Sequence, residues 1–337
     1  MGLKQKIAWR HMEHGIIRFN DQELASFGGG VVPAIVAESG QRATRRFLEF
    51  FTANIRNRNT RAAYYRAVRD FFRWCERRNV SLEQVCPMLV AAYVEELGCR
   101  NAAPTVQQHL AAIRTLFDYL VIGQVVPFNP AASVRGPKYK VSKGKTPVLS
   151  SDDARLLLDS IDSTHVIGLR DRALIGVMVY SFARISAVVG MSVDDYYRNG
   201  KRWWFRLHEK GGKFHEVPAH HKAEAYLDSY LEVAGIADQL KSPLFRSTRG
   251  QSRSLTDRPM GRRDALRMIK RRTAELGMTS RVCCHTFRAT GITAYLQNNG
   301  SLEMAQAIAA HESPRTTKLY DRRQDELTLD EIERIRI

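Results

Sequence analysis

The chain has 337 residues, 44% hydrophobic and 26% charged, enough to bury two ordinary globular cores. Its 52 lysines and arginines against 35 acids leave a net charge of +17, a balance that favours a polyanionic partner. The longest apolar run, 173–180, is too short to span a bilayer and the N-terminus lacks the apolar core of a signal peptide. The five cysteines show no Cys-x-x-Cys spacing, so zinc cages and disulfide frameworks are not indicated and a reducing cytoplasm is the expected setting.

Residues 1–41 fit no strong pattern and are expected to form an N-terminal extension, with Lys4, Lys6, Arg10 and the Gly28-Gly29-Gly30 run. From 42 to 134 the periodicity is helical. Thr60 is a candidate cap for a helix that puts Tyr64, Val68, Phe71, Phe72 and Cys75 on one face. Pro87 suits the first turn of another helix, through Val90, Tyr93 and Leu97. A further helix begins near Pro104 with Val106, Leu110, Ile113, Phe117 and Leu120 inward, and Gln107, Gln108 and Arg114 on its other face, which makes Gln107 and Arg114 candidate contacts to a polyanion. Residues 135–147 combine proline and glycine with Lys138, Lys140, Lys143 and Lys145. They read as a linker, either a solvated loop or a strap along phosphates.

The second domain, 148–337, opens with Ser151 as candidate cap of a helix over 152–160, then a buried helix over 169–179 that leads to Arg184. Period-two alternation over 193–197, 203–208 and 214–217, with the Asn199-Gly200 turn signal, predicts a hairpin sheet whose tip is 210–213. Helices resume near Lys222, Arg262 and Arg288. The segment Arg262, Arg263, Arg267, Lys270, Arg271, Arg272 is strongly basic, which makes Arg262, Arg263 and Lys270 candidate phosphate contacts. The run from Met304 to Ala310 reads as a buried helix, broken by Ser313-Pro314. Thr328-x-x-Glu331 is a capping box for a short tail helix over 328–337. The fold expected is mainly α (α+β): a helical bundle, then a mostly helical domain with one small antiparallel sheet.

The chemistry gathers near the C-terminus, where His285-Thr286-Phe287-Arg288 is followed by His311 and then Tyr320. Residues three apart on a helix share a face. Arginine grips phosphate oxygens through forked, charge-assisted hydrogen bonds, and histidine moves protons near neutral pH. A tyrosine hydroxyl becomes a nucleophile only where cations stabilise the developing phenolate. A lone His-x-x-Arg is commonly a surface pair, and a lone tyrosine a core residue; the ordered set is what carries weight. Upstream, Ser181-Phe182-Ala183-Arg184-Ile185-Ser186 and Glu209-Lys210-Gly211-Gly212-Lys213 complete an order of Arg, Lys, His-x-x-Arg, His, Tyr.

That order resembles the tyrosine recombinases, also called phage integrases, and most closely their Xer-like simple members, over roughly residues 42–325. The resemblance implies a core-binding SAM-like domain at 42–134 and a catalytic domain at 148–337, closing as a C-shaped clamp on double-stranded DNA, with affinity falling steeply as salt rises. It implies site-specific strand exchange through a covalent 3′-phosphotyrosine, with no metal and no cofactor. Tyr320 is the nucleophile, Arg184 and Arg288 the phosphate clamp, Lys210 the acid at the leaving 5′-oxygen, and His285 and His311 the proton handlers. Lys213 competes with Lys210 for the acid role. It also implies a tetramer on two DNA sites, held by tails donated between protomers, where the alternative is a tail docked on its own domain, with a partner recombinase or accessory protein as a further partner class. Departures stand at Ala187, where an acid is common, Ala289, where a histidine is common, and Ala310, where a glycine is common. A type IB topoisomerase shares the chemistry but acts as a monomer on one site, and a silent DNA-binding module has no need of all six residues. A metallohydrolase on His220-His221 or Cys284-His285 lacks ligand spacing, and a hydrolase using Ser186 or Cys284 lacks an oriented base and acid in the sequence.

Overall fold

The computed structural model describes residues 32–139, 144–209, 214–250 and 252–321. The chain falls into two compact units, 1–140 and 141–337. Among the described residues, no helix is long and apolar enough to cross a membrane.

The first unit is helical: α1 (Ala34–Glu38), α2 (Gln41–Glu49) running into a π turn (Phe50–Asn54), α3 (Arg58–Glu76), α4 (Pro87–Arg100) and α5 (Ala103–Ile122). Its core is aromatic. Phe47, Phe50, Phe51, Phe71, Phe72 and Phe117 are all at most 2% exposed, and rings meet edge-on, as Phe50 on Phe51 at 4.8 Å. Each ring so buried contributes about 1.5–3 kcal/mol. The chain joins this core earlier than periodicity predicts, since Val32, Ile35 and Val36 are buried with it. Helix α3 is capped by Asn57, whose side chain accepts from the amides of Asn59 and Thr60, so Thr60 is a third-position residue and not the cap. Pro87 opens α4 as expected. Val106, Leu110, Ile113, Phe117 and Leu120 of α5 all point inward.

The second unit is built on α7 (Val166–Tyr180), buried along most of its length and packed against α9 (His221–Ala234) and α11 (Cys284–Gln297). Before it runs α6 (Ser151–Asp159), capped by Ser150, one residue ahead of the expected cap. A short α8 (Ile185–Val188) follows α7. Strands β1 (Tyr196–Asn199), β2 (Arg202–His208) and β3 (Phe214–Pro218) form an antiparallel sheet in the order β1-β2-β3. Phe205 pairs with both Tyr196 and Val217, so one face meets the core. Residues 193–195, expected at the start of β1, are instead a 3-10 turn capped by Ser192. Gly200 turns β1 into β2 with φ 61°, a conformation that favours glycine.

A second antiparallel pair, β4 (Arg246–Thr248) with β5 (Leu255–Pro259), corrects the expectation of a single sheet. Helix α10 (Arg262–Glu275) then leads to α11, α12 (Leu302–Ile308) and α13 (Pro314–Lys318). Helix α12 ends before Ser313-Pro314, as the expected break requires, and Ser313 also caps the next helix, α13. Met304 is 55% exposed, and α12 buries only its Ala305 side, so it is not the fully buried helix that its composition indicates. The fully buried Asp171 of α7 accepts from Arg170, Arg272 and Arg271, and thereby ties α10 to α7. Two arginines of the basic segment are therefore engaged in the fold.

Candidate active site

Arg184 is the N-cap residue of α8. His285 and Arg288 lie in the first turns of α11, and His311 follows the end of α12. Tyr320 follows α13, whose buried Thr317 accompanies it. Five of the six expected catalytic positions are described and stand on elements that pack together; Lys210, like its competitor Lys213, lies outside the described residues.

The centre is a phenol–imidazole bond. Tyr320 is 7% exposed, and its hydroxyl lies 2.7 Å from His285 Nε2. His311, 8% exposed, stacks on the Tyr320 ring at 5.8 Å and 7°. Its Nδ1 is engaged by the Thr317 hydroxyl at 2.9 Å, so Nε2 is the nitrogen left for chemistry. Partial burial, then Arg288 and Arg184, hold His285 below the usual imidazole range, and the same causes push His311 down to about 3. Both rings are therefore neutral at pH 7, and the Tyr320 hydroxyl has a base to donate to. Burial raises the Tyr320 phenol overall, although Arg288 and Arg184 pull against it. The resting phenol keeps its proton.

Neutral burial of His311 has a consequence for folding. Unfolded histidine takes up its proton near 6.5, whereas the folded ring waits until about 3. Between those values the unfolded chain binds more protons, so stability is complete above pH 6.5 and is lost as pH falls. We expect the melting temperature of wild type to drop more steeply from pH 7 to pH 4 than that of His311→Asn. Parallel curves would place the acid sensitivity elsewhere.

Arg288 is 1% exposed and is not an open fork. Nη1 donates to the Phe182 carbonyl and Nη2 to the Ala309 carbonyl at 2.5 Å. Two loops are tied by one guanidinium: the one leading to Arg184 and the one leading to His311. Each carries a residue in the left-handed region, Phe182 at φ 55° and Ala310 at φ 47°. For a non-glycine residue that conformation costs about 1–2 kcal/mol, which explains why glycine suits position 310. Ala310→Gly is expected to raise the melting temperature by roughly 2–4 °C, equivalent to about 1 kcal/mol. A lowered melting temperature would show that the alanine methyl contributes packing that outweighs the strain.

The DNA-contact candidates divide. Arg262 and Arg263 line one cleft of about 470 Å³ with Arg184, Ser186, Cys283, Cys284 and His285. Lys138 is exposed. Gln107 donates to the Pro137 carbonyl, Arg114 to those of Ala131 and Val134, and Lys270 to that of Ser280. Those three are occupied by the chain's own backbone. Lys140 and Lys143 lie outside the described residues. His220 caps α9 and stacks on Tyr180 at 4.2 Å, which gives it a structural task. Among the described residues, no group of three His, Cys, Asp or Glu is placed to hold a metal ion. Sequence reading missed Thr317, which orients His311, Thr293, whose hydroxyl donates to the Tyr320 carbonyl at 3.0 Å, and Glu209, whose carboxylate meets Arg184. Glu209 and Thr293 act across 25 and 27 positions, and Thr317, six residues from His311, is one of two adjacent threonines that the sequence does not tell apart.

A phenol under the influence of two guanidiniums suits an anionic, electrophilic centre, and the class such a site defines is that of phosphodiester-transfer enzymes. Residues 147–326 match the model of the phage integrase family, and residues 45–123 match that of the phage integrase N-terminal SAM-like domain. The chain belongs to the phage integrase family. It is 29% identical over 283 residues to tyrosine recombinase XerC of Pelobacter propionicus, covering 83% of this chain and 89% of the relative. It is 24% identical over 291 residues to tyrosine recombinase XerD of Chlorobaculum tepidum, covering 84% and 92%. Among solved structures, the fold is shared with XerH recombinase bound to its difH substrate before cleavage, at TM-score 0.64 and 14% identity, over 96% of this chain and 98% of that one. It is shared equally with a lambda integrase dimer on a COC′ core site, at TM-score 0.64 and 17% identity, over 85% and 79%.

Proposed function

We propose that this protein is a site-specific DNA recombinase that cuts and rejoins strands through Tyr320. The observation that carries the reading is the Tyr320 hydroxyl held 2.7 Å from His285 Nε2, inside the family-matched region. Tyr320 Oη attacks a DNA phosphorus and its proton passes to His285. The bond to the 5′-oxygen breaks, and that oxygen is protonated by Lys210. The product is a 3′-phosphotyrosine. A 5′-hydroxyl of the partner strand then attacks the same phosphorus, the phosphotyrosine bond breaks, and the phenol regains a proton. No high-energy cofactor is consumed, because each broken phosphodiester is replaced by another of similar energy.

Arg184 supplies an available guanidinium to the phosphate oxygens, and Arg288 adds its charge from a fixed position. Negative charge grows on those oxygens in the transition state, and preoriented cations stabilise it there. His311, through Nε2, donates to or accepts from the same group. Arg262 and Arg263, in the same cleft as Arg184, meet flanking phosphates, and Lys138, Lys140 and Lys143 are further phosphate contacts in this proposal. The tail, 328–337, falls outside the described residues. Its donation to a neighbouring protomer, giving four protomers on two sites, belongs to this proposal.

The test is recovery of covalent protein–DNA adducts after incubation with DNA fragments from the gene's own locus, sequenced at the junction. One recurrent junction, joined through the 3′-phosphate, is the expected result. Adducts scattered without sequence preference would favour a nicking-closing enzyme, and none at all a binding protein.

A further inference from the structure

Strand β2 ends at His208, and the next side chain, Glu209, turns into the protein with 4% exposure. Its Oε2 accepts from Arg184 Nη1 at 2.5 Å. Among the described residues this is the ion pair that Arg184 makes. A carboxylate withdrawn from water is costly unless a cation meets it, and the sheet does not need one at this place. Phe205 and Leu207, fully buried, already supply the core side of β2. Glu209 is also the residue immediately before Lys210. One carboxylate therefore joins the root of the hairpin to the arginine at the start of α8.

We infer that Glu209 is the positioning residue of Arg184, holding its guanidinium aimed throughout strand cleavage. This rests on the recombinase reading above. The contact uses Nη1. Nε and Nη2 have no hydrogen-bond partner among the described residues, so two edges of the guanidinium remain for a phosphate. The Arg184 side chain is 34% exposed and stands at the cap of a four-residue helix. Without a partner, so long a side chain would lose its orientation among many rotamers. Helix α8 offers no carboxylate of its own at position 187, where the buried side chain is a methyl group. The other root of the hairpin is tied as well, since His215 Nε2 lies 2.8 Å from the Ile308 carbonyl, on the helix that leads to His311. Both described ends of the hairpin thus touch elements that deliver active-site groups.

The competing role for the same carboxylate is a stand-in for phosphate, one that leaves when DNA arrives. The two roles predict opposite results. The probe is a nicked duplex carrying the junction sequence recovered from wild-type adducts, with single-turnover cleavage, DNA affinity and melting temperature measured together. If Glu209 positions Arg184, Glu209→Gln slows cleavage by roughly 10–100-fold, a fraction of what losing an oriented cation costs. Affinity then changes by less than about threefold, because binding is spread over many phosphates, and Glu209→Asp recovers part of the rate. The deciding measurement is the double variant. Glu209→Gln added to Arg184→Ala should cost no more than about twofold beyond Arg184→Ala alone, since one residue acts through the other. Cleavage by Glu209→Gln at or above the wild-type rate would establish the stand-in role and overturn the inference. Losses that multiply in the double variant would overturn it too, by making Glu209 a structural residue only. A wild type that forms no adduct would defeat the recombinase reading itself, an outcome distinct from both.

Discussion

Tyr320→Phe is expected to abolish covalent adduct formation while leaving the protein folded and bound to DNA. The substitution removes a single oxygen, whose bond to His285 Nε2 is partly buried and contributes only about 0.5–1.5 kcal/mol. The ring itself stays stacked on His311 and packed with Phe182, Ala289 and Ile292. Affinity comes from many phosphate contacts and is expected to change by less than about twofold. A nicked duplex that traps the covalent species on a denaturing gel reads the result directly. An adduct that persists in Tyr320→Phe would move the nucleophile to another residue.

Arg288→Ala is expected to fail twice, in stability and in rate. The guanidinium is the partner of the Phe182 and Ala309 carbonyls inside the core. A hydrogen bond to a charged donor contributes about 1.5–3 kcal/mol, so losing both should lower the melting temperature by roughly 10 °C. Removing the charge should also slow cleavage about 10²–10³-fold in whatever fraction remains folded. Arg288→Lys retains a charge but not the fork that spans two carbonyls, and should recover less stability than its charge alone indicates. Thermal melting and single-turnover cleavage on the same preparations separate the two effects. An alanine variant that melts within about 2 °C of wild type would show that the two loops do not depend on this arginine.

The order of Arg184, His285, Arg288, His311 and Tyr320 was legible because family motifs are short and local. What ties these residues together was not. Glu209 meets Arg184 across 25 positions, and Thr317 was one threonine of an adjacent pair. Helix interiors were read well where burial repeats every three to four residues, as along α5. Caps were read less well, because Asn57, Asn59 and Thr60 are all eligible and only the fold selects Asn57. The β4–β5 pair escaped because its strands are short, polar and shifted in register, leaving no alternation to detect. Met304 misled because an apolar residue on the exposed side of a short helix looks, in sequence, like any core residue.

The backbone around the proposed nucleophile has a genetic meaning. Tyr320 is fastened on both sides within its own chain, by Thr293 Oγ1 on its carbonyl at 3.0 Å and by the Gly144 amide on the Leu319 carbonyl at 3.3 Å. Its phenol reaches the histidine of the same polypeptide. So long as those fastenings hold, Arg184, His285, Arg288, His311 and Tyr320, the described members of the candidate centre, come from one and the same copy. A copy lacking the phenol and a copy lacking the arginine, expressed in one cell, then have nothing to lend each other, and the two defects do not complement.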